Sequence, residues 1–203
     1  MDVRHLLVGL LLLTSAQSVA NGRCLDEATA RLGYKFQDSQ GGIGEVQFNG
    51  AQQTVVTQRG GREVRQTFAN DGQVMTESSG DTGKGTVHQL ITFQATPVLL
   101  DSVGQSDQYG SIARSDGGGS GVAYTFTRRR VTGVERVSIE DCSYDTLIIA
   151  AEIDLSGDVV LKITSKTNWS PVLAKFVKAE ITAMTPPDNK PIVTNFALVR
   201  VGF

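Results

Sequence analysis

The chain has 203 residues, and its 19 Lys and Arg against 21 Asp and Glu give a formal net charge of -2. This near-neutral balance supplies no electrostatic attraction toward nucleic acid or a bulk anionic membrane, so we expect no nucleic-acid partner. The length suits a single domain, because all-β domains often run this long.

The N-terminus has the pattern of a removable export signal. Arg4 precedes the uninterrupted apolar run at residues 6–13, and small residues lead up to Ala20. The run falls within the 7–15 residues of a signal-peptide core and well short of the roughly 20 that span a bilayer. We therefore predict a signal peptide at 1–20, cleaved near Ala20, a single β-rich domain at 21–203, a periplasmic location and no integral membrane span.

Two cysteines are present, Cys24 and Cys142. In an exported protein an even count favours a disulfide, and two cysteines allow one intramolecular pairing. A lipoprotein would carry a small residue before its acylated cysteine, whereas Arg23 precedes Cys24. We therefore predict a Cys24–Cys142 disulfide that ties the mature N-terminus to the second half of the fold.

Helical patterning is confined to residues 25–32, with Gly33 as the stop signal. From residue 43 onward the apolar period is two, and turn signals recur at short intervals, as in antiparallel sheets. We predict a mainly β fold, built as a single antiparallel curved sheet or a partly open β-barrel or sandwich with a short N-terminal helix. The predicted strands are 43–48, 53–59, 62–68, 73–77, 85–94, 98–103, 109–113, 122–129, 134–139, 146–154, 158–169, 172–181 and 192–201.

The strongest hairpin signal is Gly60-Gly61, which lies between two alternating segments. Paired glycines supply the positive φ angles that two-residue hairpin turns require. The next turn signal is Asn70-Asp71-Gly72. Together the two turns predict a three-stranded meander.

Two later segments carry a family resemblance. Residues 131–149 contain Gly-Val-Glu-Arg-Val, a turn, a tyrosine and an aliphatic strand, and residues 168–180 read Asn-Trp-Ser-Pro-Val-Leu-Ala-Lys-Phe-Val-Lys-Ala-Glu. Both resemble segments of uncharacterised bacterial periplasmic antiparallel-β proteins of the lipoprotein-carrier half-barrel type. The chain departs from that pattern at Glu140-Asp141-Cys142, in place of a Pro/Gly turn, and at Ala174, where glycine is common. The resemblance implies a curved antiparallel sheet and supplies no catalytic residues.

Residues suited to catalysis are scarce. Beyond the predicted signal, His88 is the single histidine. A multi-histidine metal site is therefore excluded, a Ser-His-Asp mechanism can run only through His88, and we expect no cofactor. A hydrolase that uses His88 is kept as an alternative, while the leading interpretation is noncatalytic.

That leading interpretation is an exported cell-envelope protein that binds a partner protein or an apolar, lipid-like ligand on a concave sheet face. Alternation places Tyr124 and Phe126 on one side of their strand, and it turns Arg129 away from its two arginine neighbours. The candidate ligand contacts are Phe93, Tyr124, Phe126 and Trp169, and the candidate partner or glycolipid contacts are Arg128, Arg129 and Arg130.

A second alternative is an outer-membrane β-barrel. The C-terminal alternation of Ala197, Val199, Val201 and Phe203 resembles the last strand of such barrels. Membrane barrels also need aromatic girdles and lipid-facing apolar residues in nearly every strand. This chain has one tryptophan and four tyrosines, and the predicted strand at 53–59 is polar at both ends.

Overall fold

The computed structural model describes residues 24–81, 83, 85–117, 121–157, 160–185 and 190–202. The predicted signal segment therefore lies outside the described residues. Within them the chain forms the helix α1 (Glu27–Ala30) and twelve strands. No helix in these ranges is long and apolar enough to cross a membrane. The strands are β1 (Tyr34–Asp38), β2 (Ile43–Asn49), β3 (Gln52–Arg59), β4 (Arg62–Ala69), β5 (Val74–Asp81), β6 (Thr86–Phe93), β7 (Ser106–Asp116), β8 (Gly121–Ile139), β9 (Cys142–Ser156), β10 (Leu161–Ser170), β11 (Lys175–Thr185) and β12 (Lys190–Val201).

All twelve strands belong to one antiparallel sheet. Each strand pairs with its neighbours in sequence, and β1 also pairs with β12, where Phe36 lies opposite Val201. The sheet is thus a closed up-and-down barrel without a free edge. The predicted mainly β, antiparallel fold is confirmed, and the barrel closes completely.

The two predicted turns join the strands as expected. Gly60 and Gly61 both have positive φ angles, of 57° and 76°, as a type I′ hairpin turn requires. The second turn contains Asn70, Asp71 and Gly72, all with positive φ. The consecutive pairings of β3, β4 and β5 confirm the predicted meander.

Three elements differ from the sequence prediction. The first strand, β1, was not predicted, although Tyr34 and Phe36 alternate with polar residues. The segment 98–103 is not a strand but part of the connection from β6 to β7. The two strands predicted at 122–129 and 134–139 are one strand, β8, which continues through a bulge between Val131 and Gly133.

One end of the barrel is closed by α1 and the loop 171–174, and we call it the helix end. The predicted disulfide is present, with 5.3 Å between the Cα atoms of Cys24 and Cys142. Beside it, the Tyr34 hydroxyl donates a hydrogen bond of 2.8 Å to the Leu173 carbonyl. Tyr34 and Leu173 belong to a buried cluster with Phe36, Val46, Val55, Ile139, Tyr144 and Leu198. Because these residues come from strands on different sides of the barrel, their shared face is the lumen.

The long loop 94–105 also folds over the helix end. Leu100 is fully buried in a second apolar cluster with Val131 and Trp169. The Gln73 side chain holds it in place, because its amide donates to the Leu100 carbonyl at 2.6 Å and accepts from the Leu100 N–H at 2.9 Å. This packing explains why the apolar residues at 98–103 do not form a strand.

Candidate functional site

The candidate site is a cavity in the barrel lumen. Register places Val55 of β3, Val64 of β4 and Phe196 of β12 on the lumen face. They border a space of about 550 Å³, a volume within the roughly 300–1,000 Å³ of small-molecule sites. The lining consists of Phe36, Asp38, Val55, Thr57, Arg59, Arg62, Val64, Gln66, Asp81, Lys175 and Phe196.

The cavity exists because the lumen is too wide for the inward-facing side chains to fill. A barrel of about eight strands is just filled by its inward residues, and the diameter grows with strand number. Here twelve strands surround the lumen, and the two buried apolar clusters of the described residues lie toward the helix end. Val64 faces the lumen and is still 38% exposed. The cavity reaches solvent at the opposite end, beside the exposed residues Arg59, Arg62 and Asp81.

The floor of the cavity is formed by Phe36 and Lys175. The Phe36 ring lies across Gly44 of the neighbouring strand, where a Cβ atom would overlap it. The Lys175 ammonium lies 4.5 Å from the centroid of that ring. Burial lowers the pKa of Lys175 to about 8, while the negative charge of Asp38 acts in the opposite direction. A cation is therefore held against an aromatic face inside the barrel.

Asp38, the acid that influences Lys175, has other partners of its own. Its Oδ1 accepts hydrogen bonds from the N–H groups of Gln40 at 2.9 Å and Gly42 at 2.8 Å. Its Oδ2 pairs with the Arg59 guanidinium at 2.5 Å. The β1–β2 turn and Arg59 of β3 therefore satisfy this carboxylate without Lys175.

The lumen site was not predicted from the sequence, although a signal for it exists. Lys175 has the same alternation as Val177 and Ala179, which are buried, whereas Lys178 and Glu180 are exposed. This pattern places the Lys175 side chain on the inner face. The proximity of Asp38, by contrast, depends on closure of the barrel between β1 and β12.

The four aromatic residues chosen from the sequence are not brought together. Phe93 lies on the lumen face with its ring centroid 5.6 Å from that of Tyr109, and Trp169 is buried, donating to the Asp71 carbonyl at 3.0 Å. Tyr124 and Phe126 share a face, as expected, but it is the outer one, where they are 51% and 41% exposed. They therefore do not line a cavity with Phe93 and Trp169.

The three consecutive arginines divide as alternation predicts. Arg129 points inward, whereas Arg128 and Arg130 are exposed. They lie in the middle of β8 and not at a strand end, and Arg128 pairs with Glu152 at 3.2 Å and Asp154 at 3.1 Å. A groove of about 580 Å³ runs beside Arg128 and Arg130 on the outer face. Arg128 is neutralised by these neighbouring acids, so we regard the lumen as the better candidate site.

His88 lies on the outer face of β6. Register places Ser79 on one side of it and Asp116 on the other, which are the residue types of a hydrolytic triad. Among the described residues, however, no hydrogen bond joins the three side chains. His88 and Asp116 are exposed on the outside of the sheet, where they border a surface groove of about 430 Å³ that is open to solvent.

Other recognised site types and relatives add nothing to this geometry. In the described parts of the chain, no three His, Cys, Asp or Glu side chains are grouped to hold a metal ion. Comparison with protein-family models, curated proteins and solved structures finds no match to the chain. The lumen cavity is therefore the feature on which a functional interpretation depends.

Proposed function

We propose that this protein is an exported, noncatalytic binding protein that holds an apolar ligand in the barrel lumen. The observation that carries the proposal is the cavity in the lumen, which Phe36, Val55, Val64 and Phe196 border and which is accessible from solvent. Apolar walls with a few placed polar groups are typical of small-molecule sites. A protein interior that served stability alone would be close-packed instead.

The outer surface supports this assignment over a membrane barrel. Lipid-facing positions of membrane barrels form an apolar band, and charges there are costly. Here exposed, charged side chains lie on the outer face of strands all around the barrel: Lys35, Glu45, Glu63, Arg65, Arg114, Arg136, Glu152, Lys162, Lys166, Lys178 and Glu180. Water is the solvent that suits such a face.

The proposed export rests on the predicted signal segment together with the disulfide. Disulfides persist in oxidising compartments such as the bacterial periplasm. The Cys24–Cys142 bond secures the segment that leads into α1 at the closed end of the barrel. The resemblance to periplasmic proteins of the lipoprotein-carrier type agrees with a carrier role in that compartment.

Titration with a neutral apolar fluorophore, N-phenyl-1-naphthylamine, tests the proposal. Val64→Trp fills the lumen from β4, whereas Arg65→Trp places the same side chain on the outer face of the same strand. We expect the wild type and Arg65→Trp to enhance the fluorescence equally and Val64→Trp to bind at least about tenfold more weakly. Absence of binding by the folded wild type, or equal binding by all three proteins, would reject a lumen site.

Partner binding is a second candidate, favoured by an exposed apolar stripe on β8. Val122, Tyr124 and Phe126 are each more than 40% exposed on the outer face. Exposed aromatic residues next to arginine are enriched at protein interfaces. Replacing all three with threonine should abolish co-purification of a partner from the native envelope and leave fluorophore binding in the lumen unchanged. An unchanged set of co-purifying proteins would count against this role.

A further inference from the structure

We infer that the lumen ligand carries an acidic group at one end of an apolar chain, and that the Lys175 ammonium binds that group. The inference rests on the proposed lumen function and deepens it. It follows from a cation on the cavity floor whose charge is not neutralised by the protein.

The positive charge of Lys175 lies on the floor of the cavity. Lys175 lies at the start of β11, and its partly buried side chain turns inward onto the ring of Phe36, a residue that is 1% exposed. Among the described residues, the ammonium has no hydrogen bond or ion pair beyond this ring contact. A buried ammonium is normally paired, because removing a charge from water is costly without a counter-charge.

The two carboxylates that line the cavity are either paired with other groups or far from Lys175. Asp38 accepts two backbone hydrogen bonds and pairs with Arg59. Asp81 is an exposed residue at the far end of β5. The cavity is lined by three cations and two acids, which leaves one positive charge in excess. The protein as a whole has a net charge of -2, so the lining of this cavity differs in sign from the chain as a whole.

Beyond the charge, much of the cavity wall is apolar. From Phe36 the lining continues through Val55 and Phe196 to Val64, which is the most exposed of these apolar side chains. A purely ionic ligand would leave this surface in water. An acidic group on an alkyl chain places the anion on Lys175, as a charge-assisted hydrogen bond, and the chain against the apolar wall.

The two arginines of the lining are less suited to this role. Arg59 donates to Gln40 at 2.6 Å in addition to its pairing with Asp38. Arg62 is exposed at the solvent end of the cavity, where water and salt screen its charge. Lys175 is therefore the residue that distinguishes acidic from neutral ligands.

Three probes with the same C16 chain test this inference: palmitate, hexadecyl phosphate and hexadecanol. Each is titrated below its micelle concentration at pH 7 by displacement of N-phenyl-1-naphthylamine. The proteins are the wild type, Lys175→Met and Lys175→Arg, with Lys35→Met as the matched control and Arg62→Gln as the test of a second cavity cation. Lys35→Met removes an exposed lysine from the outer face of β1, and Arg62→Gln removes a cation from the solvent end of the cavity.

We expect the wild type to bind at least one acidic probe about tenfold or more tightly than hexadecanol, since hydrogen bonds to charged groups are the strong ones. Lys175→Met should lose the preference for the acidic probes over hexadecanol, whereas Lys175→Arg, Arg62→Gln and Lys35→Met should keep it. Comparison of palmitate with hexadecyl phosphate identifies the acidic group.

Equal wild-type affinity for all three probes would overturn the inference and leave the lumen function standing. Loss of the preference in Arg62→Gln but not in Lys175→Met would overturn the assignment to Lys175. If the folded wild type bound none of the probes, hexadecanol included, the proposed function would fail, and the inference with it. Circular dichroism of each variant shows that it is folded.

Discussion

Arg129 and Asp107 form a buried ion pair of 2.7 Å between β8 and β7, with side chains 5% and 9% exposed. The same guanidinium donates to the Val98 carbonyl at 3.0 Å and lies 5.1 Å from the centroid of the Tyr109 ring. The pair therefore ties the loop 94–105 to the barrel wall. It also removes Arg129 from the partner contacts considered from the sequence.

Breaking this pair should be costly. Arg129→Met leaves the Asp107 carboxylate buried without its counter-charge, and we expect a loss of about 3 kcal/mol in the free energy of unfolding. The double variant with Asp107→Asn should lose less than the sum of the two single changes. Urea denaturation measures all three, and Arg128→Gln, which removes an exposed cation, serves as the control with a loss under about 1 kcal/mol. Additive single effects would contradict direct pairing.

The disulfide should stabilise the helix end. The two cysteines are separated by 118 positions in the sequence. A disulfide that closes so long a loop contributes about 2–4 kcal/mol to the free energy of unfolding in typical measurements. We expect dithiothreitol to lower the unfolding midpoint of the wild type in urea. The paired change Cys24→Ser and Cys142→Ser should reproduce that lower midpoint and make it insensitive to dithiothreitol. A midpoint that reduction leaves unchanged would contradict the prediction.

Gly44 is expected to tolerate no side chain. A Cβ atom there would overlap the Phe36 ring, so Gly44→Ala should destabilise the protein by about 2 kcal/mol through overpacking. Gly133→Ala is the matched control, because a Cβ at that strand position meets Ile148 only at an ordinary 3.7 Å. Adding Phe36→Leu to Gly44→Ala should recover part of the loss. Equal thermal midpoints for the two alanine variants would show that Phe36 does not restrict Gly44.

Lys175 is expected to cost stability near neutral pH. Its pKa is lowered from 10.5 to about 8 in the folded protein, so below pH 8 both states are protonated and the folded state bears the full burial cost. Between about pH 8 and 10.5 the unfolded chain binds more protons, and this contribution to stability therefore rises with pH. Lys175→Met should raise the free energy of unfolding by roughly 1–3 kcal/mol at pH 7.

The advantage of Lys175→Met should shrink toward pH 10, which urea denaturation of both proteins at several pH values measures. The groups facing Lys175 are the Phe36 ring and Asp38, the latter with its partner Arg59. Lys35→Met, on the outer face, should show no such pH-dependent gain. A difference between Lys175→Met and the wild type that is the same at pH 7 and pH 10 would contradict the burial of this charge.

Local sequence signals predicted much of the sheet and little of the site. Gly60-Gly61 and Asn70-Asp71-Gly72 define their turns because the required φ angles are intrinsic to those residues. The strand expected at 98–103 does not form, because Leu100 of this segment packs into a buried apolar cluster at the end of the barrel. This contact is tertiary, and the local sequence pattern does not contain it.

The site depends on closure and register, which are long-range properties. Lys175 and Asp38 are far apart in sequence and line the same cavity because β1 pairs with β12. Aromatic composition was a poor guide for the same reason. Tyr124 and Phe126 follow a regular alternation, but the pattern does not say which face of a wide barrel is inside.

Photo-cross-linking shows on which face of the barrel a ligand binds. A palmitate with a diazirine on its alkyl chain is irradiated with the folded protein, and peptide mass spectrometry locates the label. A ligand in the lumen should label inward positions such as Val55, Val64 and Phe196, and excess palmitate should compete it away. Labelling confined to outer-face residues such as Tyr124 and Phe126 would contradict a lumen ligand.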